Sequence, residues 1–192
     1  VKNRKLVHRE VVCYAESRDG VKWYKPELGL VEFNGSKKNN IVVDGRGSHN
    51  FTPFVDLNPN CRPDAKYKAV GRGMRTADGK IGNVHKLYAF QSADGIHWSL
   101  IRDKPVLTQG RFDSQNVAFW DSQRGRYVAF YRDMLGGHRA IRTATSRDFL
   151  SWSKPRFLGF RGATRQHLYT NAIQRYDRAP HLLIGFPTRF LP

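Results

Sequence analysis

An all-β chain assembled from repeated four-stranded units is the fold the sequence predicts, and three observations predict it. A Ser-x-Asp-x-x-x-Trp turn occurs as "SRDGVKW" at 17–23, as "SADGIHW" at 92–98 and, more loosely, as "SRDFLSW" at 146–152. An Asn-centred opening recurs as "SHNF" at 48–51, "SQNV" at 114–117 and "YTNAI" at 169–173. Helical periodicity is almost absent, whereas short apolar runs bounded by turn residues are frequent.

Each element of the unit then follows in order. The Asn openings at 50, 116 and 171 each begin an apolar run, which forms the first strand. The second strand is "KYKAVGR" at 66–72, "RYVAFYR" at 126–132 and "HLLIGF" at 181–186. The third precedes each Trp turn: "REVVCYAES", "HKLYAFQS" and "RAIRTATS". After the turn comes Lys-Pro and a last short run, in "YKPELGLVEF", "RDKPVLTQG" and "SKPRFLGF". Strand, tight turn and strand make a hairpin, with Gly20 and Gly95 supplying the permissive backbone. Asp19, Asp94 and Asp148 are structural in this reading, because Asp and Ser bond their own turn backbone while Trp packs between sheets.

Four short strands in about 50–65 residues are the signature of a β-propeller blade. The chain divides into a partial blade at 6–45, blades at 48–110 and 113–160, and a partial blade at 167–192. That is about three blades' worth, fewer than the roughly four to eight of a closed ring. The chain is therefore expected to be a single partial propeller domain belonging to a longer ring.

Bulk properties narrow the function. The 192 residues are 40% hydrophobic and 12% aromatic, which fits a folded domain. No apolar run reaches the length of a membrane span, and localisation stays open. Cys13 and Cys61 have neither metal-site spacing nor the pattern of a disulfide framework. The formal charge of +17 suits a nucleic acid, an anionic polysaccharide or an acidic partner. The Lys and Arg residues are spread along the chain, however, and no nucleic-acid-binding signature appears. "GRGMRTADG" at 71–79 is Gly-rich but sits between strands, with no helix to cradle a phosphate.

The stretches "SRDGVKWYKPELGL", "HNFTPFVDLNP", "YAFQSADGIHW", "FDSQNVAFWD" and "APHLLIGFPTRF" together resemble the five-bladed propeller glycosidases of the arabinanase, invertase and levansucrase superfamily, above all its uncharacterised bacterial members. The resemblance implies a five-bladed ring whose innermost strands open on a central funnel that holds a sugar. It also implies a trio of carboxylates: a nucleophile or base, a pKa-tuning Asp and a general acid, usually Glu. The chemistry needs one protonated and one ionised carboxyl flanking the glycosidic bond.

Carried onto this sequence, the strand openings supply the site. Asp113, which opens a first strand and belongs to no Trp turn, is the catalytic candidate, as base or transition-state stabiliser. Asp56 lies at the far end of the preceding first strand, where a turn role fits, and Asp133 is the weaker candidate. Asn50, Asn116 and Asn171 either bind sugar hydroxyls or cap the backbone. His49, Gln115 and His167 sit beside them and are candidate substrate contacts. Arg72 and Arg132 fall at matching points and suit a carboxylate or sulfate.

One feature departs from the family pattern: Glu10, Glu16, Glu27 and Glu32 all lie in the first 32 residues, so no Glu opens a first strand in the two full blades. No cofactor is expected. Some relatives carry a structural calcium ion, which no residue here places. Three functions remain: a glycoside hydrolase acting on a neutral or anionic poly- or oligosaccharide; a non-catalytic carbohydrate-binding propeller; and a polyanion-binding scaffold, for which only the charge speaks.

Overall fold

The computed structural model describes residues 8–73 and 85–191. The first two residues of the first predicted unit, most of the Gly-rich stretch at 71–79 and Pro192 lie outside the described residues. The protein is all-β: the only helical turn among the described residues is a 3-10 turn at Pro63–Ala65. Among the described residues no helix is long and apolar enough to cross a membrane.

Two complete four-stranded antiparallel sheets form the centre. The first runs β3 (His49–Val55), β4 (Tyr67–Arg72), β5 (Leu87–Ser92) and β6 (Ser99–Leu100), each strand bonded to the next in sequence. The second repeats this with β7 (Val117–Asp121), β8 (Arg126–Leu135), β9 (His138–Ser146) and β10 (Arg156–Phe157). Ahead of them β1 (Val11–Cys13) pairs with β2 (Ile41–Asp44). Behind them β11 (His167–Leu168) pairs with β14 (Arg189–Phe190), and β12 (Gln174–Arg175) with β13 (Leu183–Ile184). The sheets follow one another in chain order, β1 against β3, β3 and β4 against β7, and β9 against β11; none closes into a barrel.

Side-chain alternation with period two explains the stacking. Val70, Leu87 and Ala89 on one face of the first sheet meet Ala118, Tyr127, Ala129 and Tyr131 of the second in one core. The alternate residues Ala69, Tyr88 and Phe90 face the other way and pack with Phe51 and Trp98. On the second sheet, Val128 and Phe130 turn outward to meet Ile173, Leu168 and Leu183 of the last segment. Strands β4 and β8 are therefore buried on both faces, which is why the centre of β8, "YVAFY" at 127–131, reads as an unbroken apolar run, while β4 buries Lys68 and Arg72 among its apolar residues.

The three Trp turns share one hydrogen-bond design. Asp19 Oδ1 accepts the N–H groups of Val21 and Lys22, each at 2.8 Å. Asp94 does the same for Ile96 and His97, and Asp148 for Leu150 and Ser151. The Ser hydroxyl bonds the same carboxylate, and the Trp indole N–H donates to the carbonyl three residues back. That carbonyl belongs to Gly20, Gly95 and Phe149, all with positive φ: +73°, +80° and +67°. Trp152 and Phe149 join the core between the two full sheets, whereas Trp23 is exposed. The first turn thus keeps the local bonds without the packing expected of its Trp.

The flanking units are less regular than the sequence suggests. Between 14 and 40 the predicted strands reduce to isolated bridges, Glu16 with Tyr24 and Phe33 with Ser36. "HLLIGF" contributes only Leu183–Ile184 to a strand. Among the described residues these segments take part only in two-stranded sheets or isolated bridges, so less packing fixes their backbone.

Candidate functional site

The openings of the inner strands are held by tethers to the ends of the second strands. Gly47 donates its N–H to the Arg72 carbonyl at 2.9 Å, and Arg111 donates to the Arg132 carbonyl at 2.9 Å. The first tether requires glycine twice over, because Gly47 has φ +94° and a Cβ on Gly71 would lie 2.6 Å from the Gly47 carbonyl oxygen. His49 then lies opposite Arg72 in the β3–β4 ladder, and Asp113 comes beside Arg132.

Asp113 makes an ion pair with the guanidinium of Arg132, whose side chain is almost buried while that of Asp113 is 42% exposed. Burial alone would raise the Asp113 pKa. The hydrogen bond and charge of Arg132, with the charge of Arg72, prevail and hold the carboxyl below its ordinary range. Asp113 is therefore an ionised, partly exposed carboxylate bonded to Arg132 and within the field of Arg72. Arg132 also lies over the ring of Tyr169, 5.1 Å from its centre, and Ser114 Oγ donates to the Tyr169 carbonyl at 3.0 Å.

The amide side chains that recur in the sequence form the seam between sheets. Asn50 and Asn116 both donate to the Phe112 carbonyl, at 3.4 and 3.0 Å. Asn171 donates to the carbonyls of Gln115 and Phe130, while Gln115 Oε1 accepts the N–H groups of Asn171 and Ala172. Asn116 and Asn171 are only 1% exposed. Of the two roles the sequence left open for these Asn residues, the structure displays backbone fixing: their amides clamp segment 112–115, which carries Asp113. Gln115, read as a substrate contact, joins the same clamp.

His49 and His167 sit in separate surroundings. His49 Nδ1 is 2.9 Å from Glu10 Oε2, and both side chains are mostly buried. The sequence marked Glu10 only as one of four early glutamates, not as a site residue, since its partner is 39 residues away and only the packing of β1 on β3 unites them. His167 Nδ1 accepts the Arg139 N–H at 3.2 Å, and its ring centre is 4.8 Å from that of His138. Burial first, then the charges of His138 and Arg139, push the His167 pKa down.

The remaining carboxylates of the full sheets are engaged elsewhere. Asp56 is fully buried, bound by Lys68 Nζ and by the Tyr127 hydroxyl at 2.7 Å. Asp133 pairs with Arg142 at 2.8 Å. Among the described residues no group of three or more His, Cys, Asp or Glu is arranged to hold a metal ion. Cys13 and Cys61 are free thiols. Comparison with protein-family models, with curated proteins and with solved structures gives no match.

Proposed function

We propose that the chain is part of a β-propeller glycoside hydrolase, acting on a poly- or oligosaccharide by carboxylate acid/base chemistry where the inner strands open. The two stacked four-stranded meanders, repeating the same turn and opening, support the propeller reading. The observation that carries the functional reading is Asp113, the carboxylate at a strand opening that is half-exposed and held ionised by Arg132 and Arg72.

The chemistry divides between two carboxyls. A proton donor protonates the glycosidic oxygen, the C–O bond breaks towards the leaving sugar, and positive charge develops at the anomeric carbon. Asp113 stabilises that charge or takes the proton from the attacking water, whose oxygen forms the new bond to the anomeric carbon. Glu10, held by His49 at the neighbouring opening, is our candidate proton donor. Its bond to His49 forms with the proton on either partner.

Sugar release from a panel of neutral and anionic glycans tests this reading. Asp113→Asn and Glu10→Gln should each lower release by about a hundredfold or more, with glycan affinity changed only a few-fold. A second reading, a non-catalytic carbohydrate-binding propeller, is favoured by Arg132, which occupies one Asp113 oxygen. Binding without release from any glycan would replace the first reading by the second.

A further inference from the structure

Cations gather without a carboxylate in a cleft beside β9. It lies between the β8–β9 turn and residues 158–168, measures about 460 Å³, and is lined by His138, Arg139, Arg165, Gln166 and Phe160 among others, with no Asp or Glu. That volume is within the range of about 300–1,000 Å³ usual for small-molecule sites. Neither Arg139 nor Arg165 takes part in an ion pair among the described residues.

Arg139 is set in place before any ligand arrives. Its guanidinium carbon lies 4.0 Å from the centre of the Phe190 ring and 5.6 Å from that of Tyr169. Its Nη1 is 3.4 Å from His167 Nδ1, and its buried Nε has no hydrogen-bond partner among the described residues. A guanidinium held flat by rings loses little freedom on binding, and its planar fork matches an oxyanion. Arg165 is exposed and approaches the β8–β9 turn at Gly136, on the rim of the same cleft. Phe160, 52% exposed, offers an aromatic face of the sort on which a sugar ring stacks.

The cleft adjoins the Asp113 site through one side chain. Tyr169 has Arg132, the partner of Asp113, on its ring 5.1 Å from the centre, and Arg139 at 5.6 Å from the same centre. We propose that this cleft is a subsite for an acidic saccharide, binding a carboxylate or sulfate substituent through Arg139, Arg165 and His138 with the sugar ring on Phe160. The proposal rests on the carbohydrate reading of the Asp113 site and adds to it the class of substrate. An acidic residue there keeps its charge away from Asp113, with Arg132 and Arg139 between them.

The test is calorimetric titration of the chain with four probes: a neutral arabinan oligosaccharide, an oligogalacturonate, a sulfated galactan oligosaccharide and a single-stranded oligonucleotide. An acidic saccharide should bind at least about tenfold more tightly than the neutral one, and the better of the two acidic probes distinguishes carboxylate from sulfate. Arg165→Glu, at an exposed position that leaves the fold intact, should abolish that preference, and His138→Ala should reduce it. Equal binding of neutral and acidic sugars, an unaffected preference in Arg165→Glu, or stronger binding of the oligonucleotide would each overturn the assignment. Release from neutral glycans with no acidic preference overturns the cleft alone. Selective acidic binding without release from any glycan upholds the cleft and overturns the hydrolase reading alone.

Discussion

Phe149 occupies the position that Gly20 and Gly95 hold in the other two Trp turns, and two substitutions there separate its backbone cost from its packing value. Its φ is +67°, a conformation that costs a non-glycine residue about 1–2 kcal/mol. Its ring is fully buried and contacts Phe54, Tyr127 and Trp152 at centroid distances of 5.5, 5.1 and 5.8 Å. Removing a buried Phe side chain costs about 3–5 kcal/mol, so packing outweighs strain by about 1–4 kcal/mol, and the turn tolerates Phe for that reason. Phe149→Ala loses the ring and keeps the strain, for a loss of about 3–5 kcal/mol. Phe149→Gly loses the ring and relieves the strain, and is more stable than Phe149→Ala by about 1 kcal/mol even after the extra freedom glycine has when unfolded. Urea unfolding of the two variants, followed by tryptophan fluorescence, measures the difference. A Phe149→Gly protein less stable than Phe149→Ala, the usual order inside a strand, would refute the account of this turn.

Three other outcomes are expected. Lys68→Met leaves the Asp56 carboxylate buried without its cation and should destabilise the fold by about 3–5 kcal/mol, with Asp56→Asn in the same chain restoring part of the loss; denaturant melts of the single and double variants check this. Asp148 has its pKa held to about 2: burial raises it, but the N–H groups of Ser151 and Leu150 bond the charged form and prevail. Because the folded value is the lower one, the unfolded chain binds the proton first, so this stability is complete above about pH 5 and is lost as pH falls towards 2. Asp148→Asn should therefore flatten the acid limb of a circular-dichroism titration, and an unchanged limb would count against the bond pattern. His167, faced by His138 and Arg139 from β9 and with Arg189 next along β14, has a folded pKa below its ordinary one. Its neutral form is the one the fold favours, so acidification below about pH 6.5 should weaken the fold through this group, and a bound anion should raise its pKa in an imidazole NMR titration.

What the sequence conveys here depends on how local each determinant is. The Trp turns were legible because the Asp, Ser and Trp bonds all close within six residues, and the two full sheets were legible because each strand pairs with the next along the chain. Asp113 and Arg132 were both identifiable from their places in the repeat, but the ion pair between them arises from a tether at Arg111 that no pattern announces. The Asn openings were recognised as a recurring device. Which role they serve depends on carbonyls in adjoining segments, such as Phe112 for Asn50 and Gln115 for Asn171, and so appears only once the sheets are stacked. Glu10, Arg139 and Tyr169 escaped notice for the same reason. All three stand in repeated stretches, "REVVCYAES", "RAIRTATS" and "YTNAI", but none at the position that recurs, and each meets the site through a neighbouring sheet: Glu10 through His49, and the ring of Tyr169 between Arg132 and Arg139. In a stack of meanders the repeat encodes each sheet, whereas the candidate site residues sit where two sheets adjoin. Residues that act there are therefore selected by a partner some 30–60 positions away, beyond the reach of any local pattern.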